Sequence, residues 1–162
     1  MSALSATTLA NLNGQYAHEK RNQLVYEALA SACDFQGLTG SAGFLRKQAT
    51  GEGDHAKAVF TYSNDRNEAA KVDLIQLPEI PADFFDIFDM VLEVEKATTD
   101  KLKSLATDAN REGDLQTFFW SADLLKEQVE EENVARTILD RFASCGSDPA
   151  MIHHLDLWVG SL

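Results

Sequence analysis

Proline is scarce in this chain: Pro78, Pro81 and Pro149 are the three among 162 residues. A proline removes a backbone donor and clashes with the preceding helical turn, so its absence leaves two long stretches free to run as helix. Cysteine is scarcer still. Cys33 and Cys145 form no CxxC pair and no zinc spacing, which excludes a redox motif or a cysteine-built zinc site. No apolar run reaches the roughly 20 residues of a membrane span, and the start carries no charged-then-apolar leader. The chain is therefore expected to be soluble and cytoplasmic, with both thiols reduced. Positive charge is also in short supply: 14 basic against 26 acidic residues leave a net charge of −12. Nucleic-acid binding wants a basic face and is excluded. Acidity suits attraction of cations, although it is also a common solubility device. Repeats and low-complexity segments are missing as well.

What is present reads as helix. The first helix is expected from about Thr7 to Asp34, closed by the Gly37–Gly40 turn, and the second from about Ser41 to Ser63. A connection follows from about Asn64 to Ala82. Its middle, Val72-Asp73-Leu74-Ile75-Gln76-Leu77, runs into Pro78 and Pro81 and is expected to be extended. A third helix is expected from about Asp83 to Arg111, stopped by Gly113, and a fourth from about Asp114, which can cap it, to Phe142. Gly146 to Pro149 break the chain before a short helix from about Ala150 to Val159. The expectation is one all-α domain spanning residues 1–162: a four-helix bundle with a short fifth helix. A connection of about fifteen to twenty residues can cross the length of such a bundle, so the second and third helices can run parallel.

Each long helix carries a seam of residues seven apart, the spacing that faces a bundle core. The seams read Leu12-Glu19-Tyr26-Cys33, Leu45-Glu52-Val59, Phe88-Glu95-Leu102 and Leu124-Glu131-Ile138. Every seam is largely apolar except for one glutamate. A lone buried carboxylate costs several kcal/mol or protonates, and four on one level would also repel each other. A bound pair of cations removes both difficulties. His55 stands one turn from Glu52, making a Glu-x-x-His pair on one face, and Gln128 stands one turn before Glu131. Carboxylates with one imidazole suit iron or manganese better than copper or structural zinc. A single Glu-x-x-His is usually two solvated side chains, but one glutamate on each of four seams is not so explained. Tyr26 reads equally as a core aromatic with a satisfied hydroxyl or as a redox participant.

These residues resemble the bacterial non-haem ferritins over about Leu12 to Phe142. The resemblance is carried by Leu12-Asn13 with Glu19 and Tyr26, Phe44-Leu45-Arg46, Glu52-x-x-His55, Glu95, and Glu127-Gln128-x-Glu130-Glu131. It implies that Glu19, Glu52 and His55 hold one iron, and that Glu52, Glu95 and Glu131 hold the second, with Gln128 close by. The implied reaction is Fe(II) oxidation by oxygen or peroxide, with ferric mineral deposited in a homo-oligomeric shell of twenty-four subunits. Three departures bear on the site. Gln128-x-x-Glu131 replaces the second Glu-x-x-His of bacterioferritins. Gly53 stands where those proteins have a haem-binding methionine, so no haem is expected. Gly51 stands where many bacterial ferritins have a glutamate for a third iron. Glycines at 51 and 53 also weaken the second helix, by roughly 1 kcal/mol each relative to alanine.

His153 and His154 on the last helix, Trp120 and Trp158 are expected to be surface or packing residues, and His18 to point away from the site. Beside the ferroxidase and iron store stand two other readings. One is a cage that chiefly consumes peroxide or oxygen; the other is a non-catalytic helical subunit with a vestigial site.

Overall fold

Local capping accounts for most helix ends. Among the described residues (4–72, 74–145 and 148–162 of a computed structural model) the elements are α1 (Ala6–Phe35), α2 (Thr39–Asp65), α3 (Phe84–Arg111), α4 (Leu115–Cys145) and α5 (Pro149–Val159), with no strand. Ser5 Oγ accepts the Thr8 N–H at 3.0 Å and opens α1. Asp83 does the same for α3 with the N–H groups of Phe85 and Asp86. Asp114 takes the Thr117 N–H at 3.2 Å ahead of α4, and Asp148 takes that of Ala150 at 2.8 Å ahead of α5. Gly37 and Gly113 end α1 and α3 at φ of 76° and 74°, the left-handed conformation glycine adopts without penalty. Helix ends fall within three residues of those expected. Of the expected breaks, Gly146 and Ser147 lie outside the described residues, as does Asp73 in the connection. Pro149 does not end the break but opens α5 as its first residue, where its missing N–H costs nothing.

The extended connection explains the topology. Lys71 N–H donates to Asn13 Oδ1, Arg21 Nε donates to the Gln76 carbonyl, and Gln36 Nε2 donates to the Ala82 carbonyl. These anchors climb α1 over a rise of roughly 35 Å, a distance that the connection spans only as extended chain. It therefore returns the chain to the top of the bundle, and α3 runs parallel to α2. Helix α1 packs broadly on α2, and α3 on α4; α1 also meets α3. Among the described residues α2 and α4 make no close backbone approach. Long side chains span that gap: Gln48 to Glu131, His55 to Glu127, Tyr62 stacked on Trp120 at 4.3 Å, and buried Arg66 to Asp114 at 3.0 Å.

Two apolar clusters fill the bundle. The larger joins Tyr26, Leu29, Phe44, Leu45, Phe84, Phe88, Ile138 and Phe142 to Leu155 and Val159 of α5. The smaller comprises Leu4, Leu12, Val59 and Leu105. Between them lies a buried layer of Gln15, His18, Glu19, Asn22, Glu52, Glu95, Thr98 and Gln128.

Helix α2 has no cap of its own, since Leu38 precedes it. Asp156 of α5, itself 1% exposed, accepts the N–H groups of Gly40 at 3.1 Å and Ser41 at 2.7 Å instead. This requires backbone contact: a Cβ on Gly40 would lie 2.2 Å from the Asp156 carbonyl oxygen, and one on Gly160 would lie 2.7 Å from Gly40 Cα. Asp156→Ala is expected to cost about 2 kcal/mol by removing a cap and leaving donors buried. It should also expose the chain around residue 148 to proteolysis. Denaturant unfolding and a timed protease digest check this; wild-type behaviour in both would show that α5 is held by apolar packing alone.

Candidate metal centre

The polar layer arises because α1, α2 and α3 each present a seam glutamate to the core at the same height. Glu19, Glu52 and Glu95 are 1%, 5% and 2% exposed. The single turn between Glu52 and His55 puts both on one face of α2. Glu19, Glu52 and His55 then offer ligand atoms that all lie within 4.8 Å of one another. A second group sits beside them: the Tyr26 hydroxyl donates to Glu95 Oε1, and Gln128 Nε2 donates to Glu95 Oε2 at 3.0 Å.

The electrostatics are strained in the way the sequence anticipates. Burial raises the Glu52 carboxyl far above the carboxylate range, and the neighbouring Glu19 and Glu95 push it further. Burial likewise raises Glu95, against the hydrogen bonds from Tyr26 and Gln128. Burial, with the Glu95 and Glu52 charges, raises the Tyr26 phenol well above its ordinary value. Glu19 Oε2 has no hydrogen-bond partner although it is buried. An unpartnered buried carboxylate oxygen beside two more carboxylates and an imidazole fits a hard or borderline cation.

Helix α4 departs from the expected seam. Of the expected seam Ile138 is fully buried but Leu124 and Glu131 are only half-buried, and a second row of Ser121, Gln128, Ala135 and Phe142, also seven apart, is buried throughout. The two rows are neighbours on one face, three or four residues apart, and α4 is rotated so that Gln128 points to the core. Glu131 lies at the edge of the layer, where its Oε2 accepts from Gln48 Nε2 at 2.8 Å. His55 Nε2 faces Glu127 Oε2 at 3.4 Å from across the gap.

Several polar partners escaped the single-seam reading. Gln15 Nε2 donates to Glu19 Oε1 at 2.5 Å. Asn22 Nδ2 donates to Thr98 Oγ1 at 3.0 Å and approaches Glu52 Oε2 at 3.4 Å. The signal was available: Thr8, Gln15, Asn22 and Leu29 form a second seven-residue row on α1, and all four are buried. His18, expected to point away from the site, is buried in the polar layer, with Nε2 2.9 Å from Thr98 Oγ1. Burial first, then Lys101 and Arg21, lower its pKa to about 4, so it is neutral at pH 7. At Gly53 the Gln23 amide lies 3.1–3.3 Å from where a Cβ would be, so a side chain there would require Gln23 to shift by a few tenths of an ångström. Nothing in the structure explains Gly51, whose Cβ would meet nothing within 4 Å.

Known proteins share this fold. The family model for the ferritin-like domain matches residues 9–145. A bacterial non-heme ferritin of Staphylococcus epidermidis is 34% identical over 146 residues, covering 90% of this chain and 88% of that one. A probable bacterial non-heme ferritin-like protein of Haemophilus influenzae is 29% identical over 160 residues, covering 98% and 97%. Among solved structures, an open pore ferritin from the hyperthermophilic archaeon Archaeoglobus fulgidus superimposes with a TM-score of 0.94 at 27% identity, covering 99% and 98%. With its four-helix bundle, its short fifth helix and a carboxylate–histidine cluster at mid-height, this chain belongs to the ferritin family.

Proposed function

We propose that this chain oxidises Fe(II) at an intra-subunit two-metal site and stores the ferric product in the cage it builds. The observation that carries the reading is the convergence of Glu19, Glu52 and His55 within 4.8 Å inside a buried layer. Fe(II) is the substrate. Glu19, Glu52 and His55 hold the first ion; Glu52, Glu95 and Glu131 hold the second, with Glu52 bridging and Gln128 steadying Glu95. Burial and repulsion favour the protonated form of Glu52, so binding an ion there displaces its proton. Two Fe(II) ions supply two electrons to oxygen, which takes up two protons and leaves as hydrogen peroxide, or to hydrogen peroxide, which takes up two protons and becomes two waters. Tyr26, bonded to Glu95, supplies a hydrogen bond or an electron to the pair. Glu131 reaches the second ion by leaving Gln48, a rotation about the free end of its side chain.

The proposed assembly is a homo-oligomeric shell of twenty-four copies in the cytoplasm. Exposed Leu24, Phe60, Leu74, Phe119 and Leu157 are suited to burial between subunits. Cys33 and Cys145 are free, in keeping with a reducing compartment. No described helix is long and apolar enough to cross a membrane.

Glu52→Ala is expected to abolish rapid Fe(II) oxidation, because it removes a ligand from both ions, while assembly persists. Stopped-flow oxidation together with size-exclusion mass checks both halves; a wild-type rate in an intact shell would overturn the site. Tyr26→Phe should keep iron binding and alter the oxidation kinetics, since ring volume is conserved and the phenol is lost. Superimposable traces, with no tyrosyl radical in the wild type, would reduce Tyr26 to packing. For lack of a carboxylate at Gly51, two irons per subunit should bind tightly and a third weakly or not at all. Gly51→Glu, entering open space, should strengthen the third site and stabilise α2 by roughly half a kcal/mol. Anomalous scattering from crystals soaked anaerobically in Fe(II) is the measurement, and a fully occupied third iron in the unmodified protein would refute the idea.

A further inference from the structure

The buried Gln15 side chain has a role to fill that the two-metal site does not use. It lies at the floor of a cleft of about 350 Å3 between α1 and α3, whose rim carries Asn11, Asp100, Lys101 and Ser104. Gln15 is 1% exposed and divides its amide between two tasks. Its Nε2 donates to Glu19 Oε1 at 2.5 Å, while its Oε1, buried in the same place, has no hydrogen-bond partner. A buried amide oxygen without a donor is costly, and a cation is one partner that would satisfy it.

Resting on the two-metal reading above, we infer that the α1–α3 cleft is a loading port for a hydrated divalent cation, with Gln15 passing the ion to Glu19. The cleft has the room, since six waters at about 30 Å3 each fill only part of it. Its mouth is open at Gly14, where a Cβ would meet nothing within 4 Å. Asp100, with Oδ1 3.8 Å from Lys103 Nζ in an exposed ion pair, supplies a carboxylate at the rim, and the Ser104 hydroxyl, which donates to the Asp100 carbonyl, keeps its oxygen lone pairs for a ligand.

Neighbouring surfaces suit a cation less well. A second cleft, of about 170 Å3, shares Gly14 and Lys101 but adds Arg21 and His18, and no carboxylate lines it. Arg21 also ties the connection down over it through the Gln76 carbonyl. On the opposite side, between α2 and α4, the His55–Glu127 and Gln48–Glu131 contacts must part before an ion passes.

The experiment compares the assembled wild-type protein with Gly14→Leu, which fills the mouth, and Asp100→Lys, which reverses the rim charge. Neither substitution touches a proposed ligand. Stopped-flow oxidation is recorded over a range of ferrous sulfate concentrations, with anaerobic Fe(II) binding measured in parallel. The port requires the half-saturating iron concentration to rise at least about threefold in both variants. The number of tightly bound irons stays at the wild-type value, and Asp100→Glu restores wild-type behaviour. Should Gly14→Leu fail to assemble, Asp100→Lys decides alone. Unchanged half-saturation in the assembled variants overturns the port and leaves the two-metal reading intact, provided Glu52→Ala is inactive. Rapid oxidation by Glu52→Ala would instead sink the two-metal reading itself.

Discussion

Repulsion among buried carboxylates is the constraint around which this bundle is built. Glu19, Glu52 and Glu95 sit where a bundle of this size would otherwise bury leucines, and each is at most 5% exposed. Without a cation the layer is tolerable because burial and the neighbouring carboxylates raise Glu52 far above the ordinary carboxylate range, and burial raises Glu95 against its hydrogen bonds from Tyr26 and Gln128. The cost is carried by the apolar clusters on either side. Phe84, Phe88 and Phe142 interlock at centroid separations of 4.9–5.5 Å above the layer, and Leu12, Val59 and Leu105 close it below. Those clusters hold the helices at a fixed spacing, so the carboxylates cannot relax apart.

The same constraint accounts for the asymmetry of the bundle. Helices α1 with α2 and α3 with α4 pack closely, whereas α2 and α4 are bridged by long polar and aromatic side chains. Glu131 and His55 project into that wider seam. They are the members of the proposed ligand set that remain partly exposed, and each is already engaged by a partner, Gln48 or Glu127. The buried members of the proposed set belong to the tight side and the partly exposed ones to the open side.

Helix ends and the site level were legible in the residues themselves. Proline scarcity, Gly37, Gly113 and the capping Ser5, Asp83, Asp114 and Asp148 are local signals, acting within one turn, and a sequence displays them directly. Seven-residue rows on α1, α2 and α3 locate Glu19, Glu52 and Glu95 because helical periodicity maps position onto face. That logic reached its limit on α4. Both Gln128 and Glu131 lie on the inward half of the helix, and only its rotation against α3 made Gln128 the buried one.

Other features depend on contacts between residues far apart in the chain, which no local pattern encodes. Asp156 caps α2 from more than a hundred residues away, and that contact exists only because Gly40 and Gly160 allow two backbones to touch. Gln23 fills the space above Gly53, Gln48 restrains Glu131, and Gln15 supports Glu19 while leaving one oxygen unpartnered. By itself the sequence determined the helices, the glutamate level and the choice of an oxygen-rich site, since these follow from spacing and side-chain chemistry within single helices. Tertiary structure decided which carboxylates meet, which are held apart and which atoms go without a partner, because those depend on helix rotation and separation, set by the packing of the whole core.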